Sequence, residues 1–143
     1  MNAETLARKP PITAKPSTPL KEVAKALAEK RIGIVVIVDE RDPTIPVGVV
    51  SERDIIRALA AGADFNKPAS EFMSSPVIAV ETGEPLWKVA DVMRKHNVRH
   101  VVVTKGGRLY GVISIRDIVG EESALRSLVE YGEAVEKRGP AGD

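Results

Sequence analysis

Two short segments carry the side chains best suited to chemistry. Ser51-Glu52-Arg53-Asp54 and Ser114-Ile115-Arg116-Asp117 each set a hydroxyl, a guanidinium and a carboxylate within four residues. A Ser followed three residues later by an acid, just before an apolar run, is a near capping box for the helix it opens, Ile55 to Ala61 or Ile118 onward. The same geometry serves a ligand. Where a strand gives way to a helix, the leading N–H groups favour an anion such as phosphate. A carboxylate in that first turn repels phosphate but accepts hydrogen bonds from a pair of ribose hydroxyls. Asp54 and Asp117 therefore suit ribose, while Ser51, Ser114, Arg53 and Arg116 suit phosphate.

Other reactive side chains are few. There are two His and no Cys, so a structural zinc set, a disulfide and thiolate chemistry are all excluded. His96 falls at the end of a helical pattern and reads as a surface residue. No Gly-x-x-x-x-Gly-Lys phosphate loop is present. Gly106-Gly107 reads as a hairpin turn, Trp87 as packing, and Lys88, Lys95 and Lys105 as a solvated face. No nucleophile stands beside a base, and a non-enzymatic protein without cofactor or metal is expected.

These segments sit in a chain that is written twice. Pro19-Leu20 falls on Pro85-Leu86 at an offset of 66 residues, and Pro10, Ile12, Val23-Ala24 and Val35-Val36 follow on Pro76, Ile78, Val89-Ala90 and Val101-Val102. Beyond a hairpin spanning Asp39 to Val47 the offset becomes 63, and Gly48-Val49-Val50-Ser51 matches Gly111-Val112-Ile113-Ser114. Length changes are cheap in such a loop. Each copy reads as a short strand (Ile12 to Ala14; Val77 to Val80), then a helix opened by Pro (Leu20 to Lys30; Leu86 to His96). A β-branched strand (Ile34 to Val38; His100 to Thr104), a second strand (Val47 to Ser51; Leu109 to Ser114) and a closing helix complete it.

The expected fold class is α+β, a tandem pair of β-α-β-β-α repeats related by a pseudo-twofold axis. Neither copy alone could cover both faces of its strands. The first repeat spans residues 6–61, a linker 62–69, the second repeat 70–120, and a C-terminal helix and tail 121–143. In the tail, Leu125, Leu128, Val129 and Val135 suggest an amphipathic helix to about Lys137, with 139–143 frayed.

Bulk composition bounds the function classes. The 143 residues suit one compact domain, and 43% hydrophobic residues suffice for a core built from Val, Ile, Leu and Ala, since aromatics make up 3%. The net charge of +1 and the lack of aromatic platforms argue against a nucleic-acid partner. The longest apolar stretch, Ile32 to Val38, is too short for a membrane span, and the opening residues lack a signal-peptide pattern. A cytoplasmic location is expected. Much Lys, Arg and Glu with no Gln or Cys points to a thermophilic source.

The doubled pattern resembles a CBS-domain pair, or Bateman module. The resemblance rests on Met73-Ser74-Ser75-Pro76-Val77, on Gly48 to Ile55 and Gly111 to Ile118, and on the order of elements over roughly Leu6 to Gly120. Ala7 stands where the second copy has Met73, a departure from the pattern. The resemblance implies a regulatory, energy-sensing module that binds an adenine nucleotide in a cleft between the repeats, AMP favoured and ADP or ATP possible. It implies a preferred cleft lined by Pro10, Pro11, Ile12, Gly33, Ile34, Arg99, His100, Val112, Ser114, Arg116 and Asp117. It implies a weaker one with Val77, Ile78, Val49, Ser51, Arg53 and Asp54. Arg99-His100 occupies the position of Gly33-Ile34 in the first copy, so the two sites differ in charge. A homodimer is implied, and a separate, unidentified effector protein is expected. The alternatives are another adenosine ligand, S-adenosylmethionine or NAD, or a ligand-free interaction module.

Overall fold

The computed structural model describes residues 1–120 and 122–137. It is α+β, with two three-stranded sheets and helices packed on them. The chain divides into two compact units. One holds Met1–Lys9, Ala79–Lys105 and the chain from Tyr110 onward; the other holds Pro10–Ile78 and Gly106–Leu109. We call these unit 1 and unit 2.

Unit 2 contains β1 (Thr13–Ala14), α2 (Leu20–Lys30), β2 (Ile34–Val38), β3 (Pro46–Ser51) and α3 (Glu52–Ala60), with a 3-10 turn at Ala69–Glu71. The sheet order is β1-β2-β3. β1 runs parallel to β2 with Thr13 opposite Val36, and β2 runs antiparallel to β3 with Val36 opposite Val49. Leu20, Val23 and Leu27 recur at helical spacing and pack with Val35, Ile37, Val50, Ala58 and Ala69. Pro19, at the N-cap of α2, offers no side-chain cap. The linker supplies the missing acceptors: Lys67 and Phe65 carbonyls take the N–H groups of Leu20 and Lys21 at 2.9 and 2.8 Å.

Unit 1 contains α1 (Ala3–Leu6), β4 (Ala79–Glu81), α4 (Leu86–His96), β5 (His100–Lys105), β6 (Arg108–Ser114, whose first two residues count with unit 2), α5 (Ile115–Val119) and α6 (Glu122–Lys137). Its sheet order is β4-β5-β6, with β4 parallel to β5. Leu86, Val89, Met93, Val101, Val102, Val103, Ile113 and Ile118 are buried. The turn between β5 and β6 needs two left-handed residues, and Gly106 and Gly107 supply φ of 60° and 81°.

Both long helices span the expected residues. Each ends on a left-handed residue at the equivalent position, Arg31 (φ 53°) and Asn97 (φ 52°). The leading strands are displaced from their expected ranges: Ile12 precedes β1, and Val77 and Ile78 precede β4. Prolines at 10, 11 and 76 carry no N–H for a ladder. α3 starts at Glu52, directly after Ser51, which caps it as its place three residues before Asp54 suggests. α1 was not expected; Asn2 and Thr5 form its capping box. In α6, Val135 is half-buried but Val129 is 62% exposed. The side chains of Leu125 and Leu128, and the expected fraying at 139–143, lie outside the described residues.

Candidate functional site

Each Ser-x-Arg-Asp segment forms a strand-to-helix junction within one unit. In unit 2, Ser51 ends β3 and caps α3. Asp54 is only 7% exposed. Its Oδ2 accepts from the Ser51 N–H at 2.8 Å and the Ser51 hydroxyl at 3.1 Å. Its Oδ1 accepts from the Ser74 hydroxyl at 2.9 Å.

In unit 1, Ser114 ends β6 and α5 follows. Asp117 Oδ2 accepts from the Ser114 N–H at 2.8 Å and the Ser114 hydroxyl at 3.1 Å, matching Asp54 bond for bond. Its Oδ1 departs from that match. It accepts from Arg8 Nε at 2.6 Å, and the two side chains are 66% and 7% exposed respectively. A guanidinium thus stands where the other repeat has a neutral hydroxyl.

The residues before each repeat make both arrangements possible. Arg8 exchanges two backbone bonds with Val112, N–H to carbonyl at 2.8 and 3.1 Å. Ser74 does the same with Val49 at 2.8 and 3.0 Å. Such close backbone approach requires a glycine alongside. A Cβ at Gly111 would lie 2.5 Å from the Arg8 carbonyl oxygen, and one at Gly48 would lie 2.5 Å from Met73 Sδ.

The helix N–H groups expected to face an anion are partly used. The Ile115 N–H donates to the Arg99 carbonyl at 2.8 Å, and the Glu52 N–H to the Gly33 carbonyl at 3.2 Å. The Asp54 N–H donates to Ser51 Oγ at 3.3 Å.

Of the expected residues, unit 1 gathers Arg99, Val112, Ser114 and Asp117 at one junction through these bonds. Arg99 and Arg116 are exposed and His100, which opens β5, is half-buried. Pro10, Pro11, Ile12, Gly33 and Ile34 belong to unit 2. There the Ile12 carbonyl accepts from the Val36 N–H at 2.9 Å, and Ile34 opens β2 at 7% exposure. Unit 2 also gathers Val49, Ser51 and Asp54, with Arg53 exposed on α3 and Val77 and Ile78 half-buried. Sequence reasoning missed Arg8 and Ser74. The repeat offset of 66 aligns them, one residue past the noted Ala7 and Met73, so a polar pair at matched positions was the available signal.

A doubled α+β unit ending in a buried, capped carboxylate defines a class of tandem-repeat binding folds. The CBS domain profile matches residues 3–61 and 69–124, and the chain belongs to that family. Its structure is similar to that of the CBS domain protein PAE2072 from Pyrobaculum aerophilum complexed with AMP. The two are 40% identical with a TM-score of 0.86, covering 91% of this chain and 99% of that one. It is also similar to the CBS domain pair of protein MJ0100 in complex with 5-methylthioadenosine and S-adenosyl-L-methionine. There the identity is 33% and the TM-score 0.75, over 83% of this chain and 97% of that one. An uncharacterized 17.7 kDa protein of Acidianus ambivalens is 33% identical over 73% of this chain, which spans 62% of that protein's length.

Proposed function

We propose that the protein is a regulatory module that binds an adenine nucleotide at the Asp117 site, with AMP the favoured ligand, and that it has no catalytic activity of its own. The observation that carries this is the doubled, nearly buried carboxylate, whose Oδ2 is held by a Ser N–H and hydroxyl in the same way at Asp54 and Asp117. The chain bearing it is 40% identical to a protein solved with AMP. Asp117 accepts the ribose hydroxyls, and Ser114, Arg116, Arg99 and His100 face the phosphate. Within unit 1, Val112 offers apolar surface to the base. The Asp54 site, with Val49, Ser51, Arg53, Val77 and Ile78, is the weaker of the two. The protein works in the cytoplasm as a homodimer and passes its response to a separate effector.

A second reading, an S-adenosylmethionine or 5-methylthioadenosine module, draws support from the MJ0100 complex. The cations Arg8, Arg99 and Arg116 around Ser114 and Asp117 favour a phosphate over a sulfonium. Thermal denaturation across AMP, ADP, ATP, NAD, S-adenosylmethionine and 5-methylthioadenosine separates the readings. A ligand at 100 times its Kd stabilises the fold by about 2.7 kcal/mol, a shift on the order of 10 °C for a domain of this size. We expect AMP to give the largest shift. Stabilisation by S-adenosylmethionine alone would transfer the function to the second reading, and no shift with any compound would leave an interaction module.

A further inference from the structure

The Asp117 carboxylate is an acceptor that a ligand would share with two side chains, Ser114 and Arg8. Ser114 holds Oδ2 through two bonds, so Oδ1 is the oxygen left for a ligand hydroxyl, and Arg8 Nε already donates to it at 2.6 Å. That bond joins a cation to an anion whose side chain is 7% exposed. A charge-assisted bond of this kind is about twice as strong as a neutral one. A diol that enters beside Arg8 has the second lone pair of Oδ1 to itself but competes with a stronger, charge-assisted donor for the same oxygen, and it brings the guanidinium no anion. A diol that arrives with an anion gives that guanidinium a new partner. The Arg8 side chain is 66% exposed, which leaves it room to move from one acceptor to the other.

We propose that Arg8 is a specificity-determining residue, which makes the Asp117 site select phosphorylated nucleosides over uncharged ones with the same ribose. The inference rests on the adenine-nucleotide reading above. Unit 2 has the same arrangement with a neutral donor: the Ser74 hydroxyl bonds Asp54 Oδ1 from the equivalent position. Arg8 acts beyond the helix-borne Arg116, which has its counterpart in Arg53.

The test is the ratio of Kd for adenosine to Kd for AMP, measured by calorimetry on the wild type, Arg8→Ser, Arg8→Gln and Arg8→Lys. Arg8→Ser copies the arrangement at Ser74, and Arg8→Gln provides a second neutral side chain should the serine variant fold poorly. In both neutral variants adenosine should bind more tightly and the ratio should fall roughly tenfold, a size set by one charge-assisted bond. Arg8→Lys should keep the ratio within about threefold of wild type, because the charge remains. A ratio unchanged in both neutral variants, with wild type still binding AMP, overturns the role of Arg8 alone. A wild-type protein that binds neither compound overturns the nucleotide reading and this inference with it.

Discussion

At Gly111 an added Cβ would stand 2.5 Å from the Arg8 carbonyl oxygen and 3.2 Å from the Ala7 Cβ. Both obstacles belong to the segment that brings Arg8 to Asp117, and a backbone atom cannot turn aside. At the matching Gly48 the nearest atom is Met73 Sδ, also at 2.5 Å, with the Ser74 carbonyl oxygen at 3.2 Å. A thioether has three rotatable bonds and adapts. Gly111→Ala should therefore destabilise the protein by about 2–3 kcal/mol and Gly48→Ala by about 1 kcal/mol, within the range for overpacking. Urea denaturation of the two variants measures this. Equal losses would mean that the backbone bridge between Arg8 and Val112 yields as easily as a methionine. The glycines were visible in the repeat, but their reason was not. The sequence aligns Gly48 with Gly111 yet does not say which backbone runs alongside.

Among the elements, the helices were the most legible and the leading strands the least. Leu20, Val23 and Leu27, or Leu86, Val89 and Met93, mark one helical face, and their buried positions follow that spacing. Thr13–Ala14 and Ala79–Glu81 are too short for any period to register, and prolines nearby obscure where pairing begins. α4 also carries a charge that periodicity alone would place outside. Asp91 is 4% exposed. Lys95 and Arg94 reach its carboxylate from one turn ahead at 3.1 and 3.3 Å. Burial pushes the Asp91 carboxyl up, but the bonds and charges of Lys95 and Arg94 outweigh it and hold the group below its ordinary value of 3.8. A carboxyl lowered by folding stabilises the native state above its unfolded pKa, and that contribution is lost as pH falls through the folded one. Asp91→Asn should thus be less stable than wild type at pH 7. The gap should narrow below pH 3.8 as the wild-type carboxyl takes up its proton. Chemical denaturation of both proteins at pH 7 and near pH 3 checks the sign. A gap that stays constant would show that Asp91 contributes through shape rather than charge.

For the molecule as a whole, the repeat sets up a symmetry that a few side chains break. Asp54 and Asp117 share the Ser cap, the neighbouring arginine and a strand-entry carbonyl that accepts the first N–H of the helix. Two of their aligned differences add a guanidinium: Arg8 against Ser74, and Arg99 against Gly33. The second contrast was legible in the sequence, because it interrupts a run of matched residues beside the β-branched strand. The first became meaningful only with the fold, since residues 1–9 belong with the body of the second repeat. Both contrasts put the added cation on the Asp117 side. Each cation near a phosphate in partly screened surroundings contributes on the order of 1 kcal/mol, so the two sites should differ in AMP affinity by at least tenfold. At low concentration one AMP per chain should therefore bind tightly. Asp117→Ala should weaken that binding by roughly 1.5–3 kcal/mol through the lost hydrogen bonds to a charged group. Asp54→Ala should leave it within about twofold, because its own junction in unit 2 is the weaker site. Calorimetric titration of the two variants and the wild type supplies affinity and stoichiometry together. Two equal sites in the wild type, or a larger loss in Asp54→Ala, would mean that Arg8 and Arg99 do not act on the phosphate.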